Sequence, residues 1–191
     1  MSAFRRGSWW IVMAMAVACG PRGTEVATVK DARPAIALPD LSKAAESVQR
    51  QVRERHATLE TLAANATVSP ADLGLAYGEL GKVLMAAQYA DAAEASFRAA
   101  QQVNPDDYRW PYYLAHLRRS RGDAPQALAL FERTSQLRPD DVATRVWLGE
   151  TYLQLGQPAA AEIQFSSSLH RLPSSVSARF GLGRAALARR D

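Results

Sequence analysis

The chain has 191 residues, 48% of them hydrophobic, which suffices for one modest domain with a buried core plus a tail. Its formal charge of +4 includes Arg5 and Arg6 of the leading segment; without them 21 basic residues face 19 acidic ones, a balance of +2. That is too weak for an electrostatic case for nucleic acid, and the single cysteine, Cys19, excludes an internal disulfide framework and a thiolate zinc site.

The chain opens MSAFRRGSWWIVMAMAVACG. A basic start, an apolar run from Trp9 to Ala18 and small residues before Gly20-Pro21 make residues 1–18 a secretory signal peptide. The run is too short to span a membrane comfortably as a mature helix. Its end supports two readings. AVA before Cys19 fits an ordinary signal peptidase site, which would release a soluble product. AVAC also resembles the lipobox of bacterial lipoproteins, with Ala16 where that motif usually has Leu. The resemblance implies that Cys19 is acylated, becomes the first residue and anchors the protein to a membrane in the cell envelope, on the periplasmic side. Gly20 rather than Asp after the cysteine is similar to the outer-membrane sorting pattern. Residues 19–40 contain Pro21, Pro34 and Pro39 and no helical period, which reads as a flexible tether.

A helix is expected next, in a capping segment over 41–68. Leu41, Ala45, Val48, Val52, Leu59 and Leu62 follow alternating four- and three-residue steps, interrupted by Arg55. Such a seam packs on the first repeat as a cap, or pairs two copies as a coiled-coil homodimer through 41–64. Ser69 and Pro70 then supply a cap and a first-turn proline for the following helix.

From residue 74 onward the chain repeats itself every 34 residues. FRAAQQVNPDD from Phe97, FERTSQLRPDD from Phe131 and FSSSLHRLPSS from Phe165 are copies of one segment. Leu80, Leu114, Leu148 and Leu182 share a column; Gly81, Ala115, Gly149 and Gly183 share the next; Ala93, Ala127 and Ala161 form a third. Pro105, Pro139 and Pro173 close each copy, followed by Asp or Ser pairs that suit helix N-termini. This pattern resembles the tetratricopeptide repeat, TPR. The resemblance implies an all-α solenoid of antiparallel helix pairs. Three repeats over 69–175 follow the extra N-terminal helix. Residues 176–191 form the first helix of a fourth repeat, or a C-terminal cap. Gly or Ala at the eighth position would let the paired helices approach, and Phe131 should be buried between pairs two and three.

Some positions depart from the pattern. The fourth column holds Tyr77, Pro111, Arg145 and Arg179, and Arg118 occupies an eleventh position that usually packs. Pro111 should shift or bend the start of its helix. The basic cluster 118–123 reads as a helix end, where cations suit the negative pole. Leu182 and Gly183 are shaped for a second helix, so the C-terminal segment is either a closing cap or the edge of a longer protein.

No phosphate loop, nucleophile elbow or haem motif is present. His56, His116 and His170 have no second ligand at metal spacing, so they read as packed or solvated side chains. No metal, cofactor or catalytic constellation is expected, and the protein does not read as an enzyme. The TPR resemblance implies a protein or peptide partner bound along the first helix of each pair. Its residues would be Arg109, Tyr112, His116 and Arg119; Val146, Trp147, Glu150 and Leu153; and Phe180 and Arg184, with Leu187 beyond. Gly78 replaces the first basic residue of the family's carboxylate clamp, so a terminal-peptide clamp is not expected. The expected function is a lipid-anchored scaffold that assists assembly of an envelope complex. The alternative is the N-terminal docking or regulatory region of a longer secreted enzyme.

Overall fold

The computed structural model describes residues 33–189; the signal peptide, Cys19 and most of the tether lie outside them. The described residues form eight α-helices and no strand. They are α1 (Glu46–Ala64), α2 (Pro70–Ala86), α3 (Ala90–Val103), α4 (Arg109–Ser120), α5 (Ala124–Leu137), α6 (Val142–Gln154), α7 (Pro158–Arg171) and α8 (Val176–Ala188). Pairs α2/α3, α4/α5 and α6/α7 pack internally, and each stacks on the next, as a 34-residue solenoid requires. The expected fold class is therefore the observed one.

Local chemistry sets the helix boundaries. Ser69 accepts the Asp72 N–H at 3.0 Å, Asp141 accepts that of Thr144 at 2.7 Å and Ser175 that of Ala178 at 3.3 Å. Each satisfies a first-turn donor that has no partner within its helix. Asp107, one repeat before Asp141, does not do so. Its carboxylate takes the Arg109 backbone N–H at 3.1 Å and the Arg109 guanidinium instead. Pro111 lies in the first turn of α4 and has no N–H to offer, and α4 begins one repeat position later than α6 and α8. The start is shifted, as Pro111 implied. The turns inside the three pairs place Gln88, Gly122 and Gly156 at φ 66°, 77° and 69°. Glycine enters this left-handed region freely, but Gln88 does so against its Cβ.

The repeat columns have direct packing causes. A Cβ on Gly81 would come within 2.7 Å of the Phe97 ring, and one on Gly149 within 2.6 Å of Phe165. Phe97, Phe131 and Phe165 are fully buried. The fourth-column departures are accounted for as well. Tyr77 is buried and donates its hydroxyl to the Pro34 carbonyl at 2.8 Å. Arg145 and Arg179 each donate to a proline carbonyl six residues back, Pro139 and Pro173, both at 2.9 Å. They tie down the inter-repeat loops from equivalent positions. Arg118 reaches back to Glu94 of α3, which also accepts from Arg121 at 2.8 Å and Arg98 at 2.9 Å.

Two expectations about the N-terminal region need correction. The tether does not extend to residue 40. Ile36 and Leu41 are buried, Arg33 donates to the Ala63 and Asn65 carbonyls at 2.7 and 3.1 Å, and the His56 Nε2 lies 2.9 Å from the Ile36 carbonyl. Residues 33–41 form an extended strap over α1, because Ile36 and Leu41 have apolar surface to cover and Tyr77 has a donor to satisfy. The seam proposed for a homodimer through 41–64 is used inside the chain. Val52 and Leu59 are buried in the core beside α2, with Val48 and Leu62 packed against it, while Ala45 and Arg55 are exposed. The helix is a cap.

Candidate functional site

The first helices of the pairs, α2, α4, α6 and α8, lie side by side. Trp110 of α4 sits on Gly78 of α2, where a Cβ would meet the indole at 2.0 Å. This contact explains the glycine that stands where a clamp would need a base. Further along, His116 of α4 meets Trp147 of α6, and Glu150 of α6 meets Arg184 of α8.

The expected site residues separate into three groups. Tyr112, His116, Arg119 and Trp147 come together. Tyr112 and His116 stand one helical turn apart with ring centroids at 4.6 Å, edge to face. Both rest against Phe131, at 6.0 and 5.2 Å. The His116 ring meets Trp147 edge-on at 4.8 Å. The Arg119 guanidinium lies over Trp147, 4.2 Å from the ring centroid, a cation–π geometry. All four side chains are half-buried. The result is an aromatic surface with one cation at its rim. Burial, then the Arg119 charge, pushes the His116 pKa down to about 4, so the imidazole is neutral near pH 7. Burial is also the main cause of the raised Tyr112 pKa.

The second group is Glu150, Arg184 and Phe180. Arg184 donates to Glu150 at 2.6 Å, and its guanidinium lies 5.8 Å from the Phe180 ring centroid. Val146 and Leu153 sit behind this group, partly buried against the α6–α8 core with Leu182. They pack between repeats more than they face outward.

Arg109 stands apart. Its Nε is 2.9 Å and its Nη2 2.5 Å from the Asp107 carboxylate, and its guanidinium also lies 4.7 Å from the Trp110 ring centroid. Burial raises the Asp107 pKa, but the Arg109 hydrogen bonds and charge overcome this and hold it below the usual carboxylate range. Arg109 is thus paired with Asp107, while 41% of its side-chain surface stays exposed; the shifted start of α4 placed it there.

The periodicity did not single out Tyr113. It occupies the same sixth position as Trp147 and stacks on Phe97, with centroids 5.0 Å apart. The signal was available, since Tyr113 and Trp147 each follow a repeat phenylalanine by 16 residues. Among the described residues no group of three or more His, Cys, Asp or Glu could hold a metal ion. No helix among them is long and apolar enough to cross a membrane.

Two family models, both for the tetratricopeptide repeat, match residues 72–142 and 118–173. No curated protein matches the chain. Similar solved structures include the first TPR of Spaghetti bound to the HSP90 peptide SRMEEVD, at TM-score 0.61 and 15% identity, covering 63% of this chain and 96% of that one. The Yersinia enterocolitica type III secretion chaperone SycD, in complex with a peptide of the translocator YopD, gives 0.58 and 17%, covering 65% and 99%. MamA gives 0.65 and 16%, covering 75% and 74%. At these identities the likeness is one of fold. With its 34-residue columns, its helix pairs and the two models that together span 72–173, the chain is a tetratricopeptide-repeat solenoid.

Proposed function

We propose that this protein is a lipid-anchored scaffold of the bacterial cell envelope that binds a protein segment along α4, α6 and α8. The observation that carries the binding role is the Tyr112–His116–Trp147 surface with Arg119 at its edge. Half-buried aromatic rings offer large contact area at small entropic cost, and Arg recognises carboxylates; both serve as binding anchors. The segment it fits is extended or helical, with apolar and acidic groups. Two solved TPR structures of similar fold hold peptides, which supports a peptide-binding reading of this solenoid.

The anchoring half rests on the sequence around Cys19, the one cysteine, placed after a signal-peptide-like run. Acylation inserts hydrocarbon worth about 0.8 kcal/mol per buried methylene, so a multiply acylated terminus stays membrane-bound. Outer-membrane attachment on the periplasmic side, and a role in assembling an envelope complex, belong to the same proposal.

In vivo crosslinking in the envelope identifies the partner, and fluorescence anisotropy then compares the purified protein with Tyr112→Ala, Arg119→Glu and a control altered on the exposed surface of α5. The groove variants should bind at least ten-fold more weakly. Unchanged binding by them, with loss in the control, would assign the role to the opposite face. For anchoring, Cys19→Ser should move the exported protein from the membrane fraction to the soluble one; equal partition of both forms would leave ordinary secretion.

A further inference from the structure

The first helices of the pairs carry seven cationic side chains, one on α2, three on α4, one on α6 and two on α8. Six of them are engaged within the fold. Lys82 donates to Glu79 at 2.8 Å and Arg184 to Glu150 at 2.6 Å, while Arg109 pairs with Asp107 and Arg118 with Glu94. Arg145 and Arg179 hold the Pro139 and Pro173 carbonyls. Arg119 is the seventh. Among the described residues its guanidinium meets no carboxylate and no hydrogen-bond acceptor; it lies on the face of the Trp147 indole, 4.2 Å from the ring centroid.

The indole beneath it is itself held in place. It stacks on Phe131 with 8° between the planes and meets the His116 ring edge-on at 4.8 Å. A guanidinium resting on such a platform is oriented before a ligand arrives, and its planar fork matches a carboxylate. His116, against the same indole, is neutral near pH 7, and Glu150, one turn beyond Trp147 on α6, already accepts from Arg184. Arg119 therefore carries the one uncommitted positive charge of the Tyr112–Trp147 surface.

The paired arginines behave differently. A carboxylate approaching Arg109 or Arg184 would exchange one ion pair for another, with little net gain. We infer that the groove selects a segment bearing a single carboxylate, an Asp or Glu side chain seated on Arg119, with an apolar side chain beside it on Tyr112 and His116. The assignment rests on the binding role proposed for that groove and narrows it: further acidic residues along the segment add nothing, so an acidic tract is not the ligand. Arg119 determines the specificity, and Trp147 is its positioning residue.

The probe is a random dodecapeptide library displayed on phage and selected on the purified protein, with Tyr112→Ala, Arg119→Ala and Arg119→Glu selected in parallel; circular dichroism checks that each variant is folded. Wild type should enrich sequences with one Asp or Glu at a fixed distance from a large apolar residue. Arg119→Ala should lose the acidic preference and keep the apolar one, and Arg119→Glu should replace the acidic residue by Lys or Arg. An enriched peptide is then resynthesised with a fluorescein label and an amidated C-terminus, and its binding is followed by anisotropy. Changing its acidic residue to the amide should weaken binding to wild type about ten-fold or more and leave binding to Arg119→Ala within about two-fold. The amide-substituted peptide with a free C-terminal carboxylate should bind no better. Trp147→Phe should keep the discrimination between acid and amide, and Trp147→Leu should reduce it. Peptides lost in Tyr112→Ala but indifferent to Arg119 would overturn the assignment and leave the groove standing; a selection that no variant alters would remove both. Affinity that climbs with every added Glu would also overturn it, since the paired arginines would then be reading carboxylates too.

Discussion

Trp147 of α6 lies flat against Phe131 of α5, with ring centroids 6.5 Å apart and 8° between their planes. One repeat earlier Tyr113 lies on Phe97 at 5.0 Å and 7°. The first two joints between repeats are thus aromatic stacks, each made by the late phenylalanine of one repeat and the sixth residue of the next. At the third joint Gly181 takes the sixth position, and a Cβ there would meet Phe165 at 2.3 Å. Phe165 is held between two glycines, Gly149 and Gly181, rather than under a second ring.

Phe131→Ala should cost about 3–5 kcal/mol, because it empties a fully buried site and removes the floor beneath Tyr112, His116 and Trp147. Neighbouring repeats stabilise each other in one dimension, so amide exchange should accelerate in α4 and α6 together. Urea denaturation and hydrogen exchange read both effects. A loss under about 1 kcal/mol would contradict the burial.

The same substitution should act with opposite sign at two equivalent glycines. Gly149→Ala forces the Phe165 ring to move and should destabilise by about 1–2 kcal/mol. Gly183→Ala meets open space in a helix and should stabilise by about 0.5–1 kcal/mol, through reduced backbone freedom in the unfolded chain. Paired denaturation curves decide; equal signs would mean that the two positions have the same surroundings.

Gln88→Gly should raise stability by up to about 1 kcal/mol. Gln88 holds φ 66° in the turn where the next two repeats place glycine. Relief of the Cβ clash outweighs the added entropy of glycine in the unfolded chain. A lowered melting temperature would show that the Gln88 side chain contributes more than its strained backbone costs.

Stability should fall as pH drops from about 6.5 toward 4, and His116 should account for part of that slope. Its folded pKa, about 4, lies below the ordinary histidine value of 6.5. Between the two the unfolded chain binds the proton and the folded one does not, so acid favours unfolding. The destabilisation is complete below the folded pKa and absent above the unfolded one. The melting temperature of His116→Gln, followed over pH 4–7, should decline less steeply than that of wild type. Parallel curves would mean that His116 titrates normally in the fold.

The 34-residue period by itself determined the class of fold, the pairing of the helices and the burial of Phe97, Phe131 and Phe165. A solenoid makes this legible because each repeat meets only its neighbours, so the same contact demands the same residue at the same interval. Gly81 and Gly149 are readable for that reason, as is Phe131. Residues that face no repeated neighbour were decided by tertiary structure alone. Arg109 pairs with Asp107 because Pro111 displaced the start of α4, a local event that the column pattern averages away. Residues 33–41 look like linker by composition, yet they pack, because Ile36, Leu41 and the Tyr77 hydroxyl find complementary surface far along the chain. Tyr112, His116, Arg119 and Trp147 lie on one helix face each in the sequence; only the stacking of α4 on α6 brings the histidine edge and the guanidinium onto one indole. Periodicity encodes contacts that recur, whereas a binding surface is made by contacts that occur once.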